Sequence, residues 1–457
     1  MRLKNLMLTS ITLAGVTLAS LGFSTSLSQA ETLRQTLASA YANNPNIASA
    51  LISIKASAED IAIRRSGKLP SIGLAADYSY NWSVVGGSSN SSNSFNIGMT
   101  YRQRLFDNLK TDAQIEQARA FSLVASEALR NAEQNVLLSA ARAYFNVIRD
   151  TKLVQLRADN VSFFTAQVQS ARDRLNIGEG TRIEVAQAEA RLASGVAAYR
   201  DAITSLQVSQ ANFKRWVGEE PRNLKMDFNF ANTLPGSLDK ALDIADQRHP
   251  AILMAQAKIR AAQFASSAAS AAFGPTLDLI GQICAVQCFG TSTTGMSGTV
   301  KLTLSIPIYS GGAMGASLRK ANLEQTKSEI DALATRDQIR EAVISAWNGV
   351  QNANAQITSA QSATRSSQLV LNGVIEEQKV GQRTTLDVLN ARSDLTRAQE
   401  GLISARSARY IATFSLLSSI GRLSARDLNL PVKILSADGY IQSVKDVWAD
   451  LRSVPGQ

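Results

Sequence analysis

Between residues 71 and 83, Ile72, Leu74, Ala76, Tyr78, Tyr80 and Trp82 alternate with Ser71, Gly73, Ala75, Asp77, Ser79, Asn81 and Ser83. A period of two predicts a strand with one apolar face. After the turn-rich "VVGGSSNSSNS" the alternation resumes as Phe95, Ile97, Met99 and Tyr101 against Asn96, Gly98, Thr100 and Arg102, which predicts a β-hairpin over about 70–106. A second hairpin is expected over about 275–309. Its arms carry Leu277, Leu279 and Ile283 on one side and Val300, Leu302, Leu304, Ile306 and Ile308 on the other, joined by a loop holding Cys284, Cys288 and "GTSTTGMSG". Each hairpin is preceded by an Ala-rich helical stretch, 46–66 or 250–272. Each is followed by a proline-free helical pattern, about 108–176 or 312–380. At 1.5 Å per residue those long helices would each extend roughly 100 Å. Within the first, Ala125, Leu129, Ala132, Val136, Ala140, Ala143 and Val147 follow an eleven-residue period, and Ile339, Val343, Ala346 and Val350 repeat it in the second. Such a period packs helices nearly straight or slightly right-handed.

The long patterns end in two matching corners, "RLNIGEGTRIEV" and "QKVGQRTTLDV". Gly178 and Gly381 suit left-handed C-terminal caps. Thr181 and Thr384 suit the N-caps of returning helices over 182–215 and 385–420. Other segments recur at a nearly constant offset: "NNPNI" with "RHPAI", "KLPSIGL" with "FGPTLDL", and "RLFDN" with "PIYSGG". The chain therefore reads as a duplicated plan, with repeats over 31–230 and 231–430 and a tail over 431–457 that packs beside them or trails away. In each repeat a long helical hairpin, about 108–215 or 312–420, has its tip at the glycine corner. His249 precedes Pro250 as Asn44 precedes Pro45 and reads as a helix-start residue.

Composition narrows the function. Residues 1–30 begin with Arg2 and Lys4, continue through an apolar run and finish Ser28-Gln29-Ala30, the order of a secretory signal peptide. The formal net charge of +10 is scattered singly, without a Lys/Arg block interleaved with aromatics, so nucleic acid is not an expected partner. One histidine and two cysteines exclude most His/Cys metal cages. Cys284 and Cys288, in an exported chain, suit either a small disulfide or two free thiols. No GxSxG, HExxH or P-loop pattern occurs, and neither an enzyme activity nor a cofactor is expected.

Four strands with a lipid-like face cannot close on themselves, since membrane barrels need about eight or more and open edges leave backbone groups unpaired in lipid. Oligomerisation is the expected remedy. A dimer supplies eight strands and a filled interior. A trimer supplies twelve, room for a channel, and twelve helical columns beneath it. The trimer is preferred.

These residues resemble the TolC-type outer membrane efflux proteins in the export signal, the duplicated hairpin-plus-long-helix plan, the two glycine corners and the segments "VGEEP" and "IGRLSARDL". The resemblance implies a mainly α fold with a membrane β-barrel: a trimeric twelve-stranded barrel in the outer membrane of a Gram-negative cell, continued into the periplasm by an α-helical barrel. It implies a gated duct for efflux or type I secretion, working with a periplasmic adaptor and an inner-membrane pump or ABC exporter. It assigns the pore gate to Asp387, with Asn390 where the family has a second acidic residue. It assigns closed-state polar links to Arg383 and Glu184, with Gln378 in the place of a family tyrosine. Adaptor docking falls on Gly178, Glu179, Gly180, Thr181, Gly381, Gln382 and Thr384. The competing reading is an exported coiled-coil structural or adhesive protein. Tyr80 and Trp82 near one end of the strands, and Tyr101, Phe106 and Tyr309 towards the other, resemble the aromatic girdles of a membrane barrel and count against it.

Overall fold

The computed structural model describes residues 32–225, 234–289 and 294–444; the expected export signal and Trp448 of the tail lie outside them. Two short helices open the chain, α1 (Leu33–Asn43) and α2 (Pro45–Ser66). Thr32 and Gln35 form a capping box for α1, and Asn44 caps α2 by accepting from the Asn46 N–H, with Pro45 in the first turn where no N–H is needed. Strands β1 (Ser71–Val85) and β2 (Ser88–Phe106) follow, then α3 (Lys110–Asn176) and α4 (Arg182–Val217). The order then recurs: α5 (Leu238–Arg248), α6 (Pro250–Ala271), β3 (Thr276–Phe289), β4 (Thr294–Ser305), α7 (Ala313–Lys379) and α8 (Thr385–Ser419). His249 caps α6 as Asn44 caps α2, its Nδ1 accepting from the Ala251 N–H at 3.2 Å. The long helices α3 and α7 are each 67 residues.

The strands form one antiparallel sheet in the order β1-β2-β3-β4. Directly paired residues share a face, so the register assembles two unlike surfaces. One carries the rows Ile72–Tyr101–Gly281–Val300, Leu74–Met99–Ile283–Gly298 and Ala76–Ile97–Ala285–Met296. The other carries Thr100–Gln282–Thr299 and Gly98–Cys284–Ser297, with Asn96 donating to Asp77 at 2.9 Å and Arg104 to Asp278 at 3.1 Å. A bulge between Arg104 and Phe106 skips Leu105 and places Phe106 opposite Leu277, which pairs with Leu304. The extra residue thus keeps an aromatic ring on the apolar face.

Two sequence expectations need correction. β4 ends at Ser305, leaving Ile306 and Ile308 outside the strand, because Pro307 lacks a ladder donor and restricts the residue before it. Cys284 and Cys288 belong to β3 and not to the loop after it. The partner β2 extends far enough for Ser94 and Gly98 to pair with them.

The main core sits where the middle of α3 meets α1 and the C-terminal ends of α4 and α8. Leu37, Leu137, Tyr144, Phe145, Phe213, Phe414 and Leu417 are buried there. Phe145 stacks on Tyr410 with centroids 4.7 Å apart. The chain after α8 closes this region: Glu133 of α3 accepts from the Ala425 N–H at 2.5 Å, and the Leu435 N–H donates to the Tyr41 hydroxyl at 3.0 Å. A last helix, α9 (Asp438–Val444), docks on α2, with Tyr440 Oη donating to Glu59 at 2.7 Å. Two smaller cores lie towards the tips, one around Phe164, Val168 and Ala188, the other around Leu371, Val388 and Leu395.

Candidate functional site

At each tip the long helix ends in a Schellman motif. The Gly178 N–H donates to Leu175 O at 3.1 Å and the Glu179 N–H to Arg174 O at 2.9 Å. In the second repeat the Gly381 N–H donates to Gln378 O at 3.0 Å and the Gln382 N–H to Glu377 O at 2.9 Å. Gly178 and Gly381 have φ of 81° and 78°, a region where a Cβ is strained. The chain then turns back through two capping boxes. The Glu184 N–H donates to Thr181 Oγ1 at 3.2 Å and the Asp387 N–H to Thr384 Oγ1 at 3.3 Å, while both carboxylates accept from the threonine N–H. Gly180 leaves room for close approach to the Leu175 nitrogen. Ile177, Ile183 and Val380 stand exposed around these turns.

The assigned gate residues occupy definite places in the single chain. Asp387 is held by its cap: the Thr384 N–H and Oγ1 both donate to Oδ2, at 2.9 and 2.8 Å. Those hydrogen bonds, with a smaller contribution from Arg383, hold its carboxyl below the usual carboxylate range. Arg383 pairs with Glu377 at 2.7 Å, across its own turn. Glu184 is engaged in the Thr181 box, so within one chain the structure does not bring Arg383 and Glu184 together. Gln378 Nε2 donates to Thr385 Oγ1 at 3.3 Å, and Asn390 Oδ1 accepts from Arg191 Nη2 at 2.8 Å.

Sequence reasoning missed the links between the hairpins. Arg174, in the last turn of α3, donates from Nη2 to Thr385 Oγ1 at 2.6 Å, and Thr385 is buried. Arg392 of α8 donates from Nε to Asn160 Oδ1 at 3.2 Å, and Arg157 pairs with Glu400. The register of one hairpin on the other decides these partners, and nothing local in the sequence states that register.

The suggested disulfide is ruled out. Cys284 is free, and four residues of unbulged strand set its Cα about 13 Å from that of Cys288, beyond the roughly 7 Å a disulfide spans. Among the described residues no group of three or more His, Cys, Asp and Glu side chains is placed to hold a metal ion. No helix among them is long and apolar enough to cross a membrane.

The family model described as "Outer membrane efflux protein" matches the chain twice, over residues 36–219 and 241–422. The chain belongs to the outer membrane efflux protein family. It is 33% identical to the outer membrane efflux protein BepC of Brucella suis, over 93% of this chain and 93% of that one. It is 27% identical to the outer membrane protein TolC of Escherichia coli, over 89% of this chain and 85% of TolC. A crystal structure of CusC shares the fold with a TM-score of 0.75 at 20% identity, covering 85% of this chain and 91% of that one. This member of the efflux protein family is accordingly an outer membrane channel protein and no enzyme, a duct for efflux or type I secretion. The strands are its barrel portion and the long helices its helical-barrel portion.

Proposed function

We propose that three copies of this chain form one gated export duct. The observation that carries this is the four-stranded sheet, which is apolar along one face and ends in β1 and β4 without a partner strand among the described residues. Three copies joined β4 to β1 make twelve strands, with the apolar rows towards lipid and the Asp77–Asn96 and Arg104–Asp278 pairs towards water. The four strands run 15, 19, 14 and 12 residues, enough to cross the hydrocarbon, which takes about 9–11. The helices of the three copies continue the duct, and α7 supports this by leaving Leu323, Ile330, Leu333 and Leu369 exposed.

The gate lies at the opposite end. Three Asp387 carboxylates around a narrow opening form a ring that favours cations, and the capping hydrogen bonds keep each one ionised. Arg383 leaves Glu377 to meet Glu184 of the next copy in the closed state. Arg174–Thr385 and Arg191–Asn390 hold the two hairpins of each copy in register beside it. The tips, with Gly178, Glu179, Gly180, Thr181, Gly381, Gln382 and Thr384 flanked by exposed Ile177, Ile183 and Val380, receive the periplasmic adaptor. An inner-membrane pump or ABC exporter supplies the energy. The structural or adhesive reading leaves the apolar rows of the sheet without a use.

Single-channel recording in planar bilayers tests this. The wild-type protein should give a small cation-selective conductance, Arg383→Ser a larger open fraction, and Asp387→Ala a loss of cation preference. Unchanged conductance and selectivity in both variants would remove the gate from these residues.

A further inference from the structure

Where α8 packs on α3 and α4, a cavity of about 260 Å³ opens between the two hairpins, lined among others by Arg157, Asn160, Arg191, Thr396, Arg397 and Glu400. Its charges do not cancel: three guanidiniums face one carboxylate. Arg157 pairs with Glu400, which accounts for one of them. Arg191 is bonded to the neutral carboxamide of Asn390, so its charge stays uncompensated. Arg397 reaches Asp394 at 3.1 Å on an exposed helix surface, where water screens the pair. Asn160 is 4% exposed, and its Oδ1 is already occupied by Arg392 Nε and by Thr396 Oγ1, at 3.2 and 3.1 Å. The amide nitrogen is what remains to Asn160, and it is a donor. Arg392 adds a further positive charge behind it, stacked 4.8 Å over the Phe163 ring. A cavity so rich in donors, with its one carboxylate already paired, offers an anion charge-assisted hydrogen bonds from three helices.

We propose that this cavity binds a small oxyanion of the phosphate or carboxylate class, held by Arg191 of α4, Arg397 of α8 and Asn160 of α3. The ligand ties the second hairpin to the first. By linkage it stabilises the arrangement in which α3, α4 and α8 are closed on one another. Through Arg191 the site adjoins Asn390, three residues beyond Asp387, and its binding is measurable whether or not the protein conducts.

Isothermal titration of the full-length protein in detergent at low ionic strength, with inorganic phosphate and in parallel with acetate, tests it. Saturable binding of about one ion per chain is expected, weakened at least tenfold in Arg191→Gln/Arg397→Gln and unchanged in Lys327→Gln, which alters a surface pair on α7. Phosphate binding much tighter than acetate identifies a dianion site; equal binding identifies a carboxylate site. Arg397→Gln alone keeps the Arg191–Asn390 link intact, and it should show a smaller loss with unchanged circular dichroism. Absence of saturable binding of either ion to folded wild-type protein overturns the proposal, as does equal affinity in the double variant and the Lys327 control.

Discussion

His249 and Asn44 do the same job in the two repeats, yet only one of them titrates. The Nδ1 of His249 must be unprotonated to accept from the Ala251 N–H, and burial, with a smaller push from Arg130, lowers its pKa from 6.5 to about 4. The unfolded chain therefore binds the proton first. Stability from this residue is complete above about pH 6.5 and is lost as pH falls towards 4, by on the order of 3 kcal/mol. His249→Asn keeps the cap and removes the titration. Thermal midpoints of the detergent-solubilised protein at pH 7 and pH 4.5 should fall further for the wild type than for this variant; equal falls would show that His249 is not a source of acid lability. The contrast also marks what was legible in single residues. Thr181, Thr384, Asn44 and His249 could be read as caps because a cap and its recipient lie within three residues of each other. Thr385 could not be read as the meeting point of Arg174 and Gln378, because that depends on packing across the chain.

At the scale of elements, the long helices expected over 108–176 and 312–380 run over 110–176 and 313–379. They were legible because a proline-free stretch between a strand and a glycine corner has little else to become. Strand ends were less legible: Cys284 and Cys288 looked like loop residues until the length of β2 drew them into the ladder. The entrances to the two long helices differ instructively. Both use consecutive residues at positive φ, Gly311 and Gly312 before α7 but Asn108 and Leu109 before α3. Asn108 is anchored by its Nδ2 donating to Ala271 O at 3.1 Å, whereas Leu109 has an exposed side chain and a φ of 66°. A left-handed leucine costs about 1–2 kcal/mol. Leu109→Gly should stabilise the protein by about 1 kcal/mol, and Gly312→Leu should destabilise it by at least about as much. Denaturant midpoints in one detergent check this, and a destabilised Leu109→Gly would mean that the leucine side chain makes contacts in the assembled protein that outweigh its strain.

For the whole molecule, the two long helices of equal length are unequally covered. α3 buries a seam from Ile115 to Ala171, while α7 buries only Val343, Val350, Ala353 and Leu371. In the proposed trimer the exposed residues of α7 would be covered by the neighbouring copies. Replacing Ile330 and Leu333 by Asp should then shift the protein from trimer towards monomer by at least tenfold in native mass spectrometry, and an unaltered trimer would place that face outside the subunit contact. This asymmetry could not be read from the sequence, in which the apolar spacing of α7 matches that of α3; coverage depends on which neighbours the fold supplies. It also bears on biogenesis. A newly exported copy can cover α3 with its own α1, α4 and the end of α8, whereas α7, packed on its own α6 and α8, leaves Leu323, Ile330 and Leu333 open in the single chain. If the proposed trimer covers that face, then until the other copies arrive it is the surface that periplasmic proteases and holding chaperones would compete for.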